Sequence, residues 1–361
     1  MKIKHRIAGV SALALSLALL FSGCSSGGTN NAADSGSKKS GSVTIENCGQ
    51  KVEYKTPVTS LMANDGNIIS ISLAAGAEKQ LTAVTGTKRD FNLLSLKYGD
   101  TFKKLNSVND EYMNLENVIA ADPQVVFAGW GYGFNEEQGL TPQALKERGI
   151  DTYVLSESCR SADGQRGTMD PWKALDTDIR NIGKITGNEK TANKTADDIA
   201  ARVKKLRELP KPKKKPVGII FDNATETIYS CGNMGAPQAM MDVAGVQNAL
   251  ADTNDTWTKI SWERLAAADP DVIFFVDYPR QSFEEKIAAL ESNPASQNLR
   301  AVKEKRILNL PYGMWTSGPM TVEGAEYIRK AMEHWDLAPK TDISPDIDIR
   351  KLSLPGNEWL K

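Results

Sequence analysis

The side chains that most often catalyse reactions or bind metal ions are scarce in this chain. Its 361 residues include two histidines, His5 and His334. Protein sites for zinc or manganese use histidine together with carboxylates, and histidine is the commonest acid–base catalyst. Neither the H-E-x-x-H pattern nor the phosphate-binding G-x-x-x-x-G-K-[ST] pattern occurs. The sequence therefore predicts a protein that is not an enzyme, holds no metal ion of its own and needs no cofactor.

The four cysteines are the remaining candidates for covalent chemistry. Cys24 directly follows an apolar stretch near the N-terminus, and Cys48, Cys159 and Cys231 are distributed over the rest of the chain. Disulfides persist outside the cytoplasm, where two of the last three could pair and one would be left over. Cys48 and Cys159 fall in the same half of the chain and are the favoured pair. Three buried thiols are the open alternative.

The first residues have the organisation of an export signal. Basic residues precede an apolar run over residues 7–21, which is too short to span a membrane comfortably. The run ends in Leu20-Phe21-Ser22-Gly23-Cys24, which resembles the lipobox of bacterial lipoproteins, where the cysteine is acylated and becomes the mature N-terminus. We therefore expect a signal peptide over residues 1–23 and a flexible tether over residues 24–41. The protein would lie on the outer face of the cell membrane, anchored by lipid on Cys24.

The composition of the chain excludes one large class of partners. Hydrophobic residues make up 40% of the sequence and the formal net charge at pH 7 is -1. Nucleic-acid binding depends on a surplus of basic groups that contact phosphates, so no nucleic-acid partner is expected. No second apolar stretch is long enough to cross a membrane. The length suits one large domain or two medium domains.

An internal repeat indicates how the chain is organised. The segment NLENVIAADPQVVF, Asn114–Phe127, aligns without gaps with SWERLAAADPDVIF, Ser261–Phe274. Asn and Ser are good helix N-caps, the Asp-Pro pair ends the short helix, and the apolar run that follows predicts a buried strand. Two copies at this separation indicate two similar α/β lobes rather than a short-period solenoid.

Strands alternate with helices in both halves, which predicts parallel sheets covered by helices. The predicted strands are Val58–Met62, Leu81–Thr85, Thr152–Leu155, Val217–Asp222 and Arg306–Leu310. The predicted helices are Gly66–Ala75, Thr141–Arg148, Pro237–Ala244, Phe283–Glu291 and Val322–Trp335. A longer helix over residues 189–209 has apolar residues at helical spacing and would extend roughly 30 Å. The predicted domains are an N-terminal lobe (42–186), a connecting helix (187–212), a C-terminal lobe (213–338) and a C-terminal tail (339–361).

These features together resemble a known family, the solute-binding proteins of ferric-siderophore, haem and cobalamin importers. The resemblance covers roughly residues 42–337 and rests on Leu73–Gly86, the two repeats, the long helix and Gly235–Asn248. It implies an α/β fold with two Rossmann-like lobes joined by one long helix, and a ligand cleft between the lobes. It also implies delivery of a small-molecule ligand to the permease dimer of an ABC importer. Gly129–Cys159 is similar to a branch whose members are often labelled binders of iron compounds or deazaflavin precursors.

The resemblance places the ligand site in the loops that follow the strands, because ligands of open α/β sheets bind beyond the carboxyl ends of the strands. These loops combine aromatic rings with guanidinium groups, which suit a large planar or chelated anion such as a ferric siderophore. The expected ligand-binding residues are Arg89, Trp130, Tyr132, Arg160, Trp257, Tyr278, Arg280 and Trp315. Each aromatic residue could instead pack in the core, and each arginine could be a solvated surface charge.

Other ligands and functions stay open. A corrinoid, haem or a deazaflavin precursor could occupy the same cleft, and Tyr132, Tyr278, Tyr312 or Met314 could bind haem iron. A hydrolase and an adhesion lipoprotein are less favoured functions.

The repeats also place one glutamate at the same position of each lobe. Glu116 and Glu263 each lie two residues after the helix N-cap. In the family that the chain resembles, one glutamate per lobe contacts arginines of the two permease subunits, which implies docking roles for this pair. Alternatively, a glutamate in the first helical turn is favoured by the helix dipole alone.

Overall fold

Two parallel sheets, one in each half of the chain, form the centres of two lobes in the computed structural model, which describes residues 41–360. The strands of the N-terminal lobe are β1 (Gly41–Asn47), β2 (Gln50–Thr56), β3 (Leu61–Asn64), β4 (Leu81–Thr85), β5 (Ser107–Asn109), β6 (Val125–Trp130), β7 (Gly133–Phe134) and β8 (Asp151–Val154). Its helices are α1 (Gly66–Ala74), α2 (Phe91–Tyr98), α3 (Asp100–Lys103), α4 (Leu115–Ala121), α5 (Pro142–Lys146) and α6 (Pro171–Thr186). Its main sheet has the parallel order β5-β4-β3-β6-β8.

The C-terminal lobe follows helix α7 (Glu189–Glu208). Its strands are β9 (Val217–Phe221), β10 (Asn223–Ala224), β11 (Ile228–Cys231), β12 (Gln247–Asn248), β13 (Trp257–Ile260), β14 (Val272–Asp277) and β15 (Ile307–Pro311). Its helices are α8 (Ala236–Ala244), α9 (Trp262–Ala268), α10 (Phe283–Ser292), α11 (Arg300–Lys303), α12 (Tyr312–Trp315) and α13 (Thr321–His334). The main sheet is parallel in the order β12-β9-β14-β15, and β10, β11 and β13 form a small antiparallel sheet beside it.

The predicted α/β fold is confirmed, and several predicted elements coincide with observed ones to within one residue. The first strand is an exception, because it spans Leu61–Asn64 rather than Val58–Met62. The backbone N–H of Val58 donates to the carbonyl of Ile185, at the end of α6, at 2.9 Å. Val58 therefore pairs with a helix end instead of the sheet, and β3 begins only at Leu61.

The sequence-based prediction omits several elements, of which three make extensive contacts. The β1–β2 hairpin packs against β8, where the side-chain amide of Asn47 exchanges two hydrogen bonds of 2.8 Å with the backbone of Val154. Helix α6 packs closely against α7. The third element is the antiparallel sheet of the C-terminal lobe, which pairs Cys231 with Trp257. The hairpin and the antiparallel sheet depend on pairing that local hydrophobic spacing does not identify, whereas the buried apolar residues of α6 do recur at helical spacing.

Both sequence repeats fold alike. The side chains of Asn114 and Ser261 cap α4 and α9 by accepting hydrogen bonds from the backbone N–H groups of Asn117 and Arg264. Each helix ends at the aspartate of its Asp-Pro pair, which adopts the left-handed conformation in both lobes. Because each pair of elements leads into a central strand, β6 or β14, the repeats place equivalent turns at equivalent edges of the two sheets.

Helix α7 joins the lobes and holds a largely buried ionic network. The guanidinium of Arg202 donates to both carboxylate oxygens of Glu326 on α13, at 2.9 and 2.6 Å. It also lies 3.3 Å from Glu323 and 2.9 Å from Asp346. Residues 339–360 pack back onto the protein through buried side chains that include Ile349. Arg202 therefore connects helix α7 both to the C-terminal lobe and to the C-terminal segment.

Two further observations concern the cysteines and membrane insertion. The structure joins Cys48 to Cys159 in a disulfide with a Cα–Cα distance of 5.2 Å, and Cys231 is a buried free thiol. Cys24, its lipobox and the predicted signal peptide lie outside the described residues. Within residues 41–360, no helix has the length and apolar character required to cross a membrane.

Candidate functional site

A cleft of about 490 Å³ lies between the lobes and is lined by both. The N-terminal lobe contributes loops that follow β4, β5, β6 and β8, and the C-terminal lobe contributes loops after β9, β14 and β15 as well as its small antiparallel sheet. The lining residues are Lys88, Arg89, Glu111, Tyr112, Gly131, Tyr132, Arg166, Asp222, Tyr229, Trp257, Tyr278, Pro279, Arg280 and Tyr312. The carboxyl ends of the parallel strands therefore face a common cavity, as expected for ligand sites of open α/β sheets.

On the N-terminal lobe, a buried carboxyl organises the aromatic wall. The guanidinium of Arg89 donates a 2.7 Å hydrogen bond to the hydroxyl oxygen of Tyr112, whose own hydroxyl donates to Asp65 at 2.7 Å. The Tyr312 hydroxyl of the opposite lobe approaches the same Asp65 oxygen at 3.3 Å. Arg89 also lies over the rings of Tyr112 and Tyr312, 4.6 and 5.4 Å from their centroids. This network fixes the direction of the Arg89 guanidinium before any ligand arrives.

On the C-terminal lobe, a second carboxylate orients the aromatic rings. Asp222 accepts a 2.7 Å hydrogen bond from the Tyr278 hydroxyl, while Tyr229 and Trp257 stack with ring centroids 5.8 Å apart. Burial raises the pKa of Tyr278, and the charge of Asp222 raises it further. Tyr278 is therefore a phenol at neutral pH and can donate a hydrogen bond. Arg280, two residues further on, is exposed at the rim of the cleft.

Four cationic side chains and two carboxylates line this cavity, a formal surplus of two positive charges. Glu111 forms an exposed ion pair with Lys88 at 2.7 Å, so the surplus belongs to the arginines. Their planar guanidinium groups match carboxylate or catecholate oxygens in pairs, and the surrounding rings offer flat apolar surfaces. Among the described residues, no group of three or more His, Cys, Asp and Glu side chains could hold a metal ion. The cleft therefore presents guanidinium groups next to aromatic rings.

Five of the predicted ligand-binding residues lie in the cleft, two on the N-terminal lobe and three on the C-terminal lobe. They are Arg89, Tyr132, Trp257, Tyr278 and Arg280. All except Trp257 occupy loops that directly follow strands, and Trp257 lies in the antiparallel sheet at the cleft edge.

The assignment of Trp315 to the ligand site is wrong. Its side chain is 0% exposed, lies against Phe274, and donates from Nε1 toward the carbonyl oxygens of Phe275 and Leu310 at 3.2 and 3.3 Å. Trp315 is the last residue of the short helix α12, which turns the chain inward after β15. This turn leaves Tyr312 at the cleft and buries the Trp315 ring in the core.

The assignments of Trp130 and Arg160 to the cleft are also wrong. The Trp130 ring lines a separate groove between the β1–β2 hairpin and α5, and the Arg160 guanidinium lies 4.0 Å over that ring. Arg160 also forms an ion pair with Glu136 at 3.0 Å. Strand β6 ends at Trp130 with the ring turned away from the cleft, while Gly131 and Tyr132 continue into it.

The cleft also contains residues that were not expected from the sequence, among them Tyr112, Tyr229 and Arg166. Tyr112 follows β5, whose three residues give little strand signal, and Tyr229 belongs to an antiparallel strand outside the alternating pattern. Arg166 lies in an irregular segment between Gly164 and Gly167, both of which have positive φ angles. Two glycines flanking a Gln-Arg pair are the one sequence signal that could have drawn attention to this position.

Glu116 and Glu263 are both exposed in the first turn of their helices. Hydrogen bonds from its own backbone N–H and from the Ser261 hydroxyl lower the pKa of Glu263. Equivalent helices of the two lobes therefore each present one carboxylate to solvent. Their contact with a partner stays a prediction.

Sequence and structure comparisons place the chain in a family. A model of the periplasmic binding protein family matches residues 63–312, and the chain belongs to that family of solute-binding proteins. It is 24% identical over 339 residues to an uncharacterised ABC transporter substrate-binding lipoprotein, YvrC, of Bacillus subtilis strain 168; the match covers 90% of this chain and 96% of that protein.

Two solved structures have the same fold. One is an ABC-type Fe3+-hydroxamate transport system protein from Saccharomonospora viridis, with a TM-score of 0.67 and 19% identity over 80% of this chain and 98% of that one. The other is a periplasmic heme-binding protein from Pseudomonas aeruginosa, with a TM-score of 0.60 and 20% identity over 79% and 96%. The family fold with two lobes is therefore confirmed for this chain.

A buried carboxyl at the base of the cleft makes stability depend on pH. Burial, with the nearby charge of Asp65, raises the pKa of Asp90 to about 7, above the value near 4 of an unfolded chain. Between about pH 4 and about pH 7, Asp90 keeps its proton in the folded protein, whereas the unfolded chain has released it. The free energy of unfolding therefore falls as pH rises from about 4 to about 7. Asp90→Asn, which mimics the protonated form, should therefore gain up to about 4 kcal/mol relative to wild type between pH 4 and pH 8.

Urea unfolding followed by circular dichroism at the two pH values measures this difference. Asp100→Asn is the matched control, since Asp100 is exposed in the same lobe, and it should change stability by under about 0.5 kcal/mol at both pH values. A pH-independent difference between Asp90→Asn and wild type would contradict the buried, protonated state of Asp90.

Proposed function

We propose that this protein is the lipid-anchored, extracytoplasmic solute-binding component of an ABC importer, and that it captures a ferric siderophore or similar iron compound for the permease. The observation that carries the proposal is the interlobe cleft, in which oriented arginines are combined with six aromatic side chains. The naming of the Bacillus relative as a substrate-binding lipoprotein and of the Saccharomonospora structure as an Fe3+-hydroxamate transport protein supports it.

The charge of the cleft selects among iron compounds. Its surplus of two positive charges favours complexes with net negative charge, and partial burial strengthens the attraction relative to open water. Arg89 is held in place by Tyr112 and Asp65, so little side-chain entropy is lost when a ligand binds. A ferric tris-catecholate carries three negative charges and presents flat rings, which match both properties of the lining.

A corrinoid, haem or a deazaflavin precursor is the second candidate ligand. The heme-binding protein of Pseudomonas aeruginosa shares the fold, and the aromatic lining would accept a planar macrocycle. Burial raises the pKa values of Tyr132 and Tyr278, so either residue would have to lose a proton to bind haem iron as a phenolate. Met314 is completely buried and cannot reach a ligand. These contacts favour the siderophore over haem.

The ligand proposal predicts a charge preference that depends on Arg280. Purified protein should bind ferric tris(2,3-dihydroxybenzoate), an anion, more tightly than ferrioxamine B, a cation, as measured by quenching of tryptophan fluorescence from Trp257 and its neighbours. Arg280→Ala should weaken binding of the anion at least tenfold, about 1.4 kcal/mol, because a charge-assisted contact is lost. Arg300→Ala, on the same lobe and paired with Asp271, is the control and should bind like wild type.

Equal affinity for the two iron complexes would overturn the anionic assignment. Haemin and cyanocobalamin are titrated in the same assay, and tighter binding of either one would establish the second candidate instead.

Docking to the permease is proposed for Glu116 and Glu263. The two exposed carboxylates occupy equivalent helices of two similar lobes, so they could contact both subunits of a two-fold permease at once. Charge pairs at the rim of an interface mainly set orientation and association rate. Salt should therefore weaken the complex between the binding protein and its importer.

The docking proposal predicts that reversing both charges separates binding from transport. In Glu116→Arg with Glu263→Arg, affinity for the iron complex should equal that of wild type while uptake by cells falls more than tenfold. Glu137→Arg with Glu291→Arg, which reverses two other exposed glutamates, should leave uptake normal. Normal uptake in the first double variant would leave the two glutamates with a role only at their helix starts.

The anchor is proposed to be lipid on Cys24, which supplies membrane affinity through its acyl chains. Cys24→Ser should release the protein from the membrane fraction, and metabolic labelling with a palmitate analogue should no longer mark it. Ser25→Ala is the control and should stay labelled and membrane-bound. A Cys24→Ser protein that still sediments with membranes would show that another element holds it there.

A further inference from the structure

Residues 159–170, which lead from β8 to α6, belong to the N-terminal lobe but touch the C-terminal lobe, and they are called the interlobe strap here. It begins at Cys159, which is fastened to the β1–β2 turn by the disulfide to Cys48. It ends at Asp170, whose side chain caps α6 by accepting from the backbone N–H of Lys173 at 2.9 Å. Both ends of the strap are therefore fixed to the N-terminal lobe.

The first half of the strap is held by its own hydrogen bonds. The backbone N–H of Ser161 donates to the carbonyl of Gln165 at 2.9 Å, and that of Gly164 donates to the carbonyl of Ser161 at 2.9 Å. The Ser161 hydroxyl donates to Asp163 at 2.5 Å. These bonds form a compact turn that brings the next residue, Arg166, to a defined place.

Arg166 is the strap residue that enters the cleft. Its guanidinium donates toward the carbonyl of Trp130 at 3.4 Å and lines the cavity beside Tyr132 and Tyr229. Arg160, on the same strap, is turned outward onto Trp130 and Glu136. The strap thus carries two arginines with different surroundings, of which one faces the ligand cavity.

Gly167 fixes the strap against the opposite lobe. Its backbone N–H donates to the carbonyl of Glu157 at 3.0 Å, and its φ angle is 71°. A Cβ atom at this position would lie 2.5 Å from the side chain of Thr256 and 3.1 Å from Met234, both in the C-terminal lobe. Only glycine allows the strap to lie this close to the C-terminal lobe. Arg166 is the residue directly before this glycine.

We propose that Arg166 is a specificity-determining residue of the cleft, which selects anionic ligands, and that the contact of Gly167 with the C-terminal lobe positions it. The inference rests on the proposed function, since it assigns a further residue to the same ligand site. Gly167 already lies against Thr256 and Met234, and this contact holds the strap so that the Arg166 guanidinium faces the cavity. Selection of charge is thereby linked to the relative position of the lobes.

Affinity measurements with full-length protein in detergent test the role of Arg166. Arg166→Ala should weaken binding of ferric tris(2,3-dihydroxybenzoate) at least tenfold and leave that of ferrioxamine B within twofold, so that the preference for the anion falls. Arg166→Lys, which keeps the charge but not the planar fork, should fall between. Arg160→Ala is the matched control on the same strap and should retain the preference of wild type. Equal effects of Arg166→Ala and Arg160→Ala overturn the proposal.

A pair of glycine variants tests the positioning contact. Gly167→Ala should reduce the preference for the anion with Arg166 still present, because the added methyl group pushes the strap away from Thr256. Gly164 has a φ angle of 84° but nothing within 4 Å of an added Cβ, so Gly164→Ala introduces similar backbone strain without the clash and should keep the preference. Equal ligand preferences in the two variants would refute the positioning role of Gly167.

Hydrogen exchange separates failure of this inference from failure of the proposed function. Exchange at the amide of residue 167 should be at least tenfold faster in Gly167→Ala than in Gly164→Ala without any ligand, and equal rates would overturn the strap contact. If wild-type protein binds neither iron complex, the proposed ligand class fails, and the assignment of Arg166 fails with it. If wild type binds and Arg166→Ala binds equally well, only the inference about Arg166 fails.

Discussion

The arrangement of the two lobes depends on buried carboxyl groups of one lobe that accept hydrogen bonds from the other. Asp90 accepts a hydrogen bond from the backbone N–H of Gly313 at 2.8 Å, and Asp65 accepts one from the Tyr312 hydroxyl at 3.3 Å. A carboxyl completely removed from water is costly unless it is hydrogen-bonded or protonated. Asp90 gains its hydrogen bond only when the segment after β15 lies against the N-terminal lobe, so this acid helps to fix the position of the C-terminal lobe.

The same contacts determine the shape and charge of the cleft. Gly313 has no room for a side chain, because a Cβ atom there would lie 2.8 Å from Asp90. The close approach turns Tyr312 toward Arg89 and directs Trp315 into the core behind it. Asp90 is largely protonated at mildly acidic pH, since burial raises its pKa to about 7. A protonated Asp90 therefore offsets less of the positive charge of the arginines than an ionised carboxylate would.

A third buried acid of the N-terminal lobe, Glu157, also faces the C-terminal lobe. Burial raises the pKa of Glu157 to about 7, against the opposing effects of Ser317 and the backbone N–H of Ala236, both from the C-terminal lobe. The carbonyl of Glu157 also holds Gly167 of the interlobe strap. Through Glu157, a buried acid thus contacts both the interlobe strap and the C-terminal lobe.

The sequence alone determined the features that depend on local spacing or on short motifs. The repeat around Asp122 and Asp269, the parallel strands after each Asp-Pro pair and the long helix before Pro210 are encoded within windows of about twenty residues, because caps, helix stops and apolar periodicity act locally. Loops at the carboxyl ends of these strands could therefore be named in advance, which accounts for Arg89, Tyr278 and Arg280.

Only the tertiary structure decided which side of a loop each side chain faces. Trp130 and Tyr132 are two residues apart, yet one packs outside under Arg160 and the other faces the cleft. Arg160 and Arg166 belong to one irregular segment, and hydrogen bonds within the turn and to Glu157 determine which of them enters the cavity. Such orientation depends on packing between segments far apart in sequence, and no local pattern of residue types contains that information.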